Sequence, residues 1–230
     1  MTICNDLVAL IKARLEEVLA LRDRVTKKED DSYVSDGDLL VQEIVFEYIR
    51  KHLPHHELIS EELAPFGERV WDPAGSYVVL DPIDGTENFV SGLREWGIGI
   101  SIYTSGLHQE SCIYLPELHD VQITGMPLRK FKSRIHGLSS SLTKADLQGL
   151  PDSGFEFRII GCSMYNTLAS VRGAFAVFEN VKGVNCWDIL PGLNLALENG
   201  CEVTVDDIPY HGQILFPSRK YKIRISNLEL

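Results

Sequence analysis

Residues 78–89 read VVLDPIDGTENF, and this stretch does most to predict the fold and chemistry of the chain. Its apolar opening predicts a strand that delivers Asp81 and Asp84 at its end. Carboxylates at the end of a strand can turn toward one point, and hard oxygen ligands suit Mg²⁺, Mn²⁺ or Ca²⁺. Gly85 lets the backbone approach a ligand, and Thr86 offers a hydroxyl and an N–H. The stretch therefore predicts a metal site with a phosphate cradle, as in a metal-assisted phosphatase.

The bulk properties are those of a soluble globular protein. The 230 residues are 44% hydrophobic and 24% charged, which is ordinary for that class. A formal net charge of −11 repels nucleic acid and anionic membranes, so we expect neither as a partner. A small phosphorylated substrate remains compatible if metal ions neutralise the site locally. The length fits one catalytic unit with two approximate halves, residues 1–135 and 136–230.

The cysteines and the N-terminus bear on location. Five cysteines, an odd number without a C-x-x-C pair, predict reduced thiols in a cytoplasmic protein rather than a disulfide framework or a zinc site. Residues 1–18 have no uninterrupted apolar core and no cleavage site, so we expect no signal peptide. No apolar run approaches the length of a membrane span.

Hydrophobic periodicity predicts a helix pair, then strands, then alternating helices and strands. One amphipathic helix covers residues 3–24, and a second follows a capping box of Ser35 and Asp38 and ends near Leu53. The predicted strands are residues 57–60, 77–80, 96–104, 110–115, 121–124, 130–135, 157–160, 174–179, 201–205 and 221–226, and the later helices are residues 163–172 and 188–199, with a short helix within 138–154. This order is typical of a layered α/β or α+β protein.

Two further acidic residues stand where predicted elements start or stop. Glu61 follows a strand, and Asp188 stands at the predicted N-cap of the last helix. Each has an ordinary structural explanation, because an N-cap aspartate satisfies free backbone N–H groups and a lone glutamate is usually solvated. A turn would explain Asp84, but it would not explain the whole string that contains it.

At these positions the sequence resembles the inositol monophosphatase family of Mg²⁺-dependent, lithium-sensitive sugar phosphatases. The string DPIDGTENF matches the family's first signature, D-P-[IL]-D-G-T-x-N-F, and residues 187–192 resemble its second, W-D-x-A-A-G. Residues 59–62 resemble its G-E-E element, and residues 161–163 fall where the family begins a substrate-facing helix. The resemblance runs from about residue 26 to 205. It implies a layered αβαβα sandwich with a shortened middle hairpin and C-terminus.

The resemblance implies a metal-binding role for five residues. Glu61, Asp81 and the backbone carbonyl of Ile83 would hold a first ion, and Asp81, Asp84 and Asp188 would hold a second. Two or three Mg²⁺ ions per site are implied, with Mn²⁺ as a substitute and Li⁺ or Ca²⁺ as inhibitors. Because carboxylates gathered without cations repel one another, we expect raised carboxylate pKa values in the metal-free protein.

The resemblance also implies how water and phosphate are handled. Thr86, helped by Glu61, would orient and deprotonate the attacking water, and Asp84 completes the catalytic group. The N–H groups of Gly85 and Thr86 would bind phosphate oxygens, because they lie at a predicted helix start. Ser163 would face the substrate.

Other matches to the family leave alternatives open. Asp38 would support the metal ligands from behind or hold a third ion, and either Lys27 or Lys28 is similar to a basic residue near the phosphate. Glu179 is a candidate for the acidic residue that contacts substrate hydroxyls, although Val181 could occupy that place because the loop is longer than the family's.

The chain departs from the family pattern around the substrate. The second signature reads W-D-I-L-P-G, and Leu190 replaces a small residue, which predicts a narrower or reshaped pocket. The segment after Met126 lacks the usual glycine-rich hairpin, and the sequence stops at Leu230 without the family's last helix. We expect these changes to alter substrate selection or dimer packing more than the metal site.

The sequence thus predicts a Mg²⁺-dependent phosphomonoesterase that acts on a small polyol or sugar phosphate, as a homodimer if the family's pairing survives. A 3′(2′),5′-bisphosphate nucleotidase is one alternative, for which we find no convincing basic and aromatic adenine pocket. A histidinol-phosphate phosphatase is another, in which Glu87 or Glu179 could meet a cationic substrate. A metal-binding pseudoenzyme or interaction protein is an alternative of a different class.

Overall fold

The layers of this protein form because two strands, Tyr77–Asp84 and Gly97–Thr104, are buried along nearly their whole length, and helices pack on both faces of the sheet that contains them. The computed structural model describes residues 2–28, 32–150 and 154–227. Within them, helices and two sheets alternate as an αβαβα sandwich, which confirms the predicted layered fold. No helix in these ranges is long and apolar enough to cross a membrane.

The bounds of the helices and strands are as follows. The described helices are α1 (Ile3–Ala13), α2 (Leu15–Ala20), α3 (Asp36–His52), α4 (Thr86–Val90), α5 (Lys144–Gln148), α6 (Ser163–Val171) and α7 (Leu190–Glu198). The described strands are β1 (Val25–Lys27), β2 (Tyr33–Ser35), β3 (Glu57–Ser60), β4 (Tyr77–Asp84), β5 (Gly97–Thr104), β6 (Leu107–Leu115), β7 (Asp120–Ile123), β8 (Ile135–Leu138), β9 (Glu156–Ile159), β10 (Val177–Val184), β11 (Glu202–Val205), β12 (Ile208–Pro209) and β13 (Tyr221–Ser226). Short 3₁₀ turns, Glu61–Leu63 and Pro116–Leu118, follow β3 and β6.

The first sheet contains the strand that opens the carboxylate string. Its order is β3-β4-β5-β6-β7, in which β3 and β4 are parallel and the other neighbours are antiparallel. All eight residues of β4 are buried. Because helices cover both faces of this sheet, β4 is a continuous apolar run until it reaches its carboxylates.

The second sheet is built from strands that begin at Ile135 and later. Its order is β12-β11-β13-β10-β8-β9, in which β10, β8 and β9 are mutually parallel and the other neighbours are antiparallel. The register between β10 and β13 shifts between Asn180 and Val184, so β10 contains a bulge there. A bulge redirects the side chains that follow it.

Two cores hold the layers together. On one face of the first sheet, Ile11 and Val41 from the helix pair pack in one buried cluster with Ile100. On its other face, α6 and α7 lie between the two sheets, and their side chains share a second cluster with residues of both sheets. Its members include Val79, Ile113, Leu168, Leu193, Phe178 and Ile225.

One buried polar network crosses this second core. Asn194 of α7 donates to the Tyr103 hydroxyl at 2.8 Å and accepts from the Tyr210 hydroxyl at 3.1 Å. Buried polar groups cost free energy unless they are paired, so these mutual bonds define one relative placement of α7 and the first sheet.

The helix pair differs in detail from the prediction. The periodic stretch 3–24 is two helices, because the chain leaves the helical path at Arg14, whose N–H bonds back to Ile11 at 3.1 Å. Hydrophobic periodicity continues across this break, so the sequence pattern does not reveal it. The predicted capping box is confirmed: the Ser35 side chain accepts from the Asp38 N–H, and the Asp38 side chain accepts from the Ser35 N–H.

Other differences arise where polar segments meet the body. The polar stretch 26–36, which reads as a loop in the sequence, contains the short β1–β2 ribbon. Each of its strands has only three residues, and β1 is exposed throughout, so no buried face marks it in the sequence. The predicted strand 130–135 is wrong except for its last residue. The Phe131 N–H bonds to the Arg172 carbonyl at 2.7 Å, so this segment follows the end of α6 instead. β10 begins at Val177 and runs past the predicted end, as far as Val184.

The close packing of α6 on α7 yields a stability prediction. A Cβ added at Gly192 would lie 2.3 Å from both Cβ and Oγ1 of Thr167. We expect Gly192→Ala to lower the free energy of unfolding by about 1–3 kcal/mol, despite the better helix propensity of alanine, because the core would be overpacked. Urea unfolding measures this change.

The matched control is Gly149→Ala, where the nearest atom to an added Cβ is a carbonyl oxygen at 3.5 Å. We expect this control to change the urea midpoint little. Equal midpoints for Gly192→Ala and the wild type would show that the two helices can separate without cost.

Candidate functional site

Three carboxylates converge where the first sheet ends. The parallel pairing of β3 with β4 sets Ser60 beside Leu80, so Glu61 and Asp81 leave the two strands side by side. Asp188 joins them from the turn before α7. Single carboxylate oxygens of Glu61, Asp81 and Asp188 all lie within 4.8 Å of one another.

The surroundings of Asp81 fit a bound cation. The residue is fully buried, and neither carboxylate oxygen has an N–H or hydroxyl donor among the described residues. Burial, together with repulsion from Glu61, Asp84 and Asp188, raises the pKa of Asp81 well above its ordinary value. A buried anion without donors is costly, and a hard divalent cation is the group that relieves that cost with oxygen ligands alone.

Asp84 has a different environment, because the start of α6 caps it. Its Oδ2 accepts from the Met164 N–H at 2.5 Å and from the Cys162 thiol at 2.9 Å. Burial still raises the pKa of Asp84 to about 7, although these hydrogen bonds oppose the shift. Asp84 is not a member of the three-carboxylate cluster, and the buried Cys162 thiol is a donor to its carboxylate.

Close packing and hydrogen bonds fix the turn after Asp84. Gly85 has a φ of +80°, and a Cβ there would lie 3.1 Å from that of Cys162, so the position requires glycine. The Thr86 hydroxyl donates to the Ile83 carbonyl at 3.0 Å. The Asn88 amide donates to the Ile160 carbonyl at 2.8 Å, which links the first signature to the segment before α6.

The structure corrects the predicted role of Asp188 as an N-cap. α7 begins at Leu190, and its N-cap residue is Ile189, without a side-chain cap. The Asp188 carboxylate accepts the Asn185 N–H at 2.8 Å instead. Burial, followed by repulsion from Glu61 and Asp84, raises the pKa of Asp188. The ordinary structural explanation for this aspartate therefore fails, and its carboxylate faces the cluster.

Lys28 is the basic residue that reaches the cluster. Its Nζ lies 3.1 Å from Glu61 Oε1 and 2.8 Å from Glu62 Oε1. Burial alone would lower the pKa of Lys28, but the two carboxylates outweigh burial and raise it. The sequence left Lys27 and Lys28 as alternatives, and the structure brings Lys28 to the site.

Asp38 lies behind the cluster as part of the α3 cap. Its Oδ2 accepts from the Ser35 N–H at 2.8 Å and from the Ser35 hydroxyl at 2.6 Å. Burial raises the pKa of Asp38 to about 7, with smaller contributions from Glu62 and Glu61. The capping box accounts for the position of this side chain without a metal ion.

A polar cavity of about 250 Å³ adjoins the carboxylates. It lies where the first signature meets α6, the β10 bulge and the start of β13. Its described lining residues are Asp84, Ser139, Ser140, Ser141, Gly161, Cys162, Ser163, Asn166, Phe178, Asn180, Gly183, Val184, Asn185, Asp188 and Lys220. Hydroxyl and amide groups predominate, which suits a hydroxylated ligand.

The predicted substrate residues Ser163 and Glu179 do not line the same cavity. Ser163 lines it, whereas Glu179 lines a different cavity and has Oε1 3.2 Å from Nε2 of His136. Leu190 is fully buried in the core and is not among the described lining residues, so the pocket is not narrowed by that side chain.

Sequence reasoning missed several of the lining residues, among them Asn166 and Lys220. Asn166 lies in α6, only 2% exposed, and its amide oxygen has no hydrogen-bond partner among the described residues. Its place one turn after Ser163 is the signal that could have found it. Lys220 precedes β13, and nothing in its local sequence connects it to the signatures.

The raised carboxylate pKa values predict how stability depends on pH without metal ions. Asp38 and Asp84 have folded-state pKa values of about 7, against 3.8 without the fold. The folded state therefore holds protons that the unfolded state has released, and the free energy of unfolding should fall as pH rises from about 4 to about 7. Urea unfolding in a chelating buffer at pH 5 and pH 8 measures this.

The same experiment in excess MgCl₂ is the control. Cations bind the deprotonated carboxylates, so we expect the loss of stability with rising pH to disappear or reverse. A chelated protein that becomes more stable between pH 5 and pH 8 would contradict the assignment of these raised pKa values.

Relatives of this chain match it over different lengths. The chain is 27% identical over 201 residues to the fructose-1,6-bisphosphatase/inositol-1-monophosphatase of Thermotoga maritima, covering 79% of this chain and 75% of that protein. It is 27% identical over 209 residues to the Nus factor SuhB of Pasteurella multocida, covering 77% and 73%. The SuhB proteins of Neisseria meningitidis are 32% identical over 99 residues, and the chain spans only 36% of their length.

Solved structures share the fold along nearly the whole chain. A Ca-bound IMPase family protein from Staphylococcus aureus aligns with a TM-score of 0.80 and 19% identity, covering 98% of this chain and 90% of that one. An IMPase/NADP phosphatase complexed with Mg²⁺ and phosphate aligns at 0.76 and 20% identity, covering 97% and 91%. At these identities the likeness establishes the fold alone.

The family follows from the matched model together with this geometry. Residues 2–131, more than half of the chain, match the model of the inositol monophosphatase family. That span contains β3, β4 and the whole first signature. The chain belongs to the inositol monophosphatase family.

Proposed function

We propose that this chain is a metal-dependent phosphatase that hydrolyses a small polyol or sugar phosphate. The observation that carries the proposal is the cluster of Glu61, Asp81 and Asp188, whose carboxylate oxygens lie within 4.8 Å of one another. Within the described part of the chain, neither oxygen of the fully buried Asp81 has an N–H or hydroxyl donor. The cluster shares Asp188 with a polar cavity large enough for a small ligand.

Glu61, Asp81, Asp188, Asp84 and the Ile83 carbonyl are the groups that would hold two or three Mg²⁺ or Mn²⁺ ions. When bound, such ions lower the pKa of water and neutralise the charge of a phosphate ester. An IMPase/NADP phosphatase that shares this fold is complexed with Mg²⁺ and phosphate, which supports this choice of cation. The oxygen-only donor set supports it independently.

The protein's own groups position the reactants. Thr86, whose hydroxyl is oriented by the Ile83 carbonyl, would hold the attacking water, and Glu61 would accept a proton from it. The N–H groups of Gly85 and Thr86 would donate to phosphate oxygens. As the water oxygen bonds to phosphorus, the ester P–O bond breaks and the departing alcohol takes up a proton. Placement and charge stabilisation supply most of the acceleration.

The cavity lining favours a hydroxylated substrate over the alternatives. Serine hydroxyls and asparagine amides can bind sugar or polyol hydroxyls. Phe178 is the one aromatic side chain among the described lining residues, which does not suit a stacked adenine. The only acidic residues in that part of the lining, Asp84 and Asp188, belong to the carboxylate site, so a cationic substrate has no carboxylate of its own.

A role as an interaction protein is the competing proposal. It is supported by the relative from Pasteurella multocida, a Nus factor SuhB, which matches along 77% of this chain. Phosphate release from inositol, sugar, histidinol and adenosine 3′-phosphates, with and without Mg²⁺, decides between the two. We expect Mg²⁺-dependent release from a sugar or polyol phosphate. Mg²⁺ binding without turnover of any compound would favour the interaction role.

Asp81→Asn tests the metal site through stability. The substitution removes one charge from a buried, repelling cluster, so we expect the metal-free variant to unfold at a higher temperature by a few degrees, on the order of 1 kcal/mol. We also expect Mg²⁺ to raise the melting temperature of the wild type but not that of the variant. An equal Mg²⁺ shift in both proteins would remove Asp81 from the ligand set.

Asp84→Asn tests the catalytic assignment. Loss of one preorganised charged group should lower kcat by about 10²–10³-fold, while the hydrogen bonds from α6 hold the side chain in place. Steady-state phosphate release measures the effect. The matched control is Asp207→Asn, an exposed residue with a φ of +64° that asparagine also adopts. Near wild-type turnover by Asp84→Asn would disprove the assignment.

A further inference from the structure

The outer face of α3 carries an apolar repeat that the fold leaves uncovered. Leu39, Phe46 and Leu53 are seven residues apart, so they fall on one stripe of the helix and its C-cap. Leu39 is 47% exposed and Phe46 is 50% exposed, and neither belongs to a buried core cluster. Leu53 is half-buried. Single exposed leucines are common, but a heptad repeat on an exposed face is typical of a helix that packs on another helix.

The charges within this stripe have opposite signs on the two sides of Phe46. Glu43 lies three residues before Phe46, and Arg50 lies four residues after it. Glu43 and Arg50 are too far apart to pair along one helix, where partners are three or four residues apart. Glu43 forms no ion pair with any residue in the part of the chain that the structure describes. Arg50 bonds to Glu47 at 2.6 Å, and both side chains of that pair are exposed, so the pair is weak.

An antiparallel pairing of α3 with α3 of a second copy satisfies this pattern. In a two-fold interface the same surface is used twice, so a residue before Phe46 in one copy faces a residue after Phe46 in the other. Phe46 then packs on Phe46 of the second copy, and Leu39 faces Leu53. Glu43 faces Arg50 on both sides of the axis. A parallel pairing would instead set each charge against its own kind, which is unfavourable.

The surface beside the stripe is neutral, unlike the chain as a whole. Two grooves of about 650 Å³ and 560 Å³ flank α3. Their described lining contains three basic and three acidic side chains besides histidines, namely Arg14, Arg50, Lys51, Glu43, Glu47 and Glu57. With a formal net charge of −11 on each chain, two copies repel each other on average. A neutral face with both signs of charge is a place where they can approach.

We infer that the face of α3 marked by Leu39, Phe46 and Leu53 is a homodimer interface, in which two copies of the chain pair their α3 helices antiparallel. The stripe is about 21 Å long at about 1.5 Å per residue, which makes a small interface. We therefore expect a dimer that dissociates on dilution. The face contains no residue of the three-carboxylate cluster or of the cavity beside it, so this inference does not depend on the proposed function.

Sedimentation equilibrium over a series of protein concentrations tests the interface. We expect the wild type to pass from monomer to dimer as the concentration rises. Phe46→Glu should stay monomeric at concentrations where the wild type is dimeric, because it sets two carboxylates against each other at the two-fold axis. Since Phe46 is half exposed, this substitution removes no core side chain.

The matched control is Leu107→Glu, which adds the same charge at a leucine that is 68% exposed on the β5–β6 hairpin. This control should dimerise as the wild type does. A wild type that is monomeric at every concentration, or a dimer that survives Phe46→Glu, would overturn the interface.

The charged pairs supply a second test that a merely structural role of these residues would not pass. Glu43→Arg sets an arginine against Arg50, and Arg50→Glu sets a glutamate against Glu43, so each variant alone should dimerise about tenfold more weakly than the wild type. In an equal mixture of the two variants, both pairs again have opposite charges, and a heterodimer should form with the affinity of the wild type or better. Circular dichroism checks that each variant is folded. A mixture that associates no more strongly than either variant alone would refute the antiparallel pairing.

Discussion

The structure depends on holding several carboxylates in a buried place where they repel one another. Among residues 2–28, 32–150 and 154–227, no N–H or hydroxyl donates to either oxygen of Asp81, and its acidic neighbours are Glu61, Asp84 and Asp188. Such an arrangement opposes folding, so the surrounding structure must impose it. Two parallel strands, β3 and β4, set Glu61 beside Asp81, and the Asn185 N–H holds Asp188 against them. The repulsion that destabilises the metal-free site is what a bound cation would relieve.

The carboxylates differ because the fold distributes donors unevenly among them. The start of α6 gives Asp84 an N–H and a thiol, Lys28 gives Glu61 an ammonium, and Asp81 receives nothing comparable. Hydrogen-bond donors stabilise the charged form of a carboxylate. A buried carboxylate without donors is stabilised in its charged form only by a nearby cation. Asp81 is thus the residue whose charge most needs a metal ion, and Asp84 the one whose position the protein itself best defines.

Nearly all of the described residues that line the cavity belong to the second half of the chain. The cavity is walled by α6, the β10 bulge and the residue before β13, and these elements are brought to the first signature by contacts such as Asn88 with the Ile160 carbonyl. The carboxylate cluster and the cavity lining are therefore supplied largely by different parts of the chain. The family match covers residues 2–131, whereas most described cavity residues lie beyond that span.

The sequence by itself determined the layered fold and the carboxylates, because β4 is a continuous apolar run that ends in a short, specific string of acidic and turn residues. It also determined the α3 cap, which depends on residues three apart. Only the tertiary structure decided that Asp188 joins the carboxylate cluster and that Glu179 lies away from the cavity. It also decided that Lys28 lies beside Glu61 and that Lys220 lines the cavity. Those placements depend on contacts between residues far apart in the chain, and neither local propensity nor periodicity carries information about such contacts.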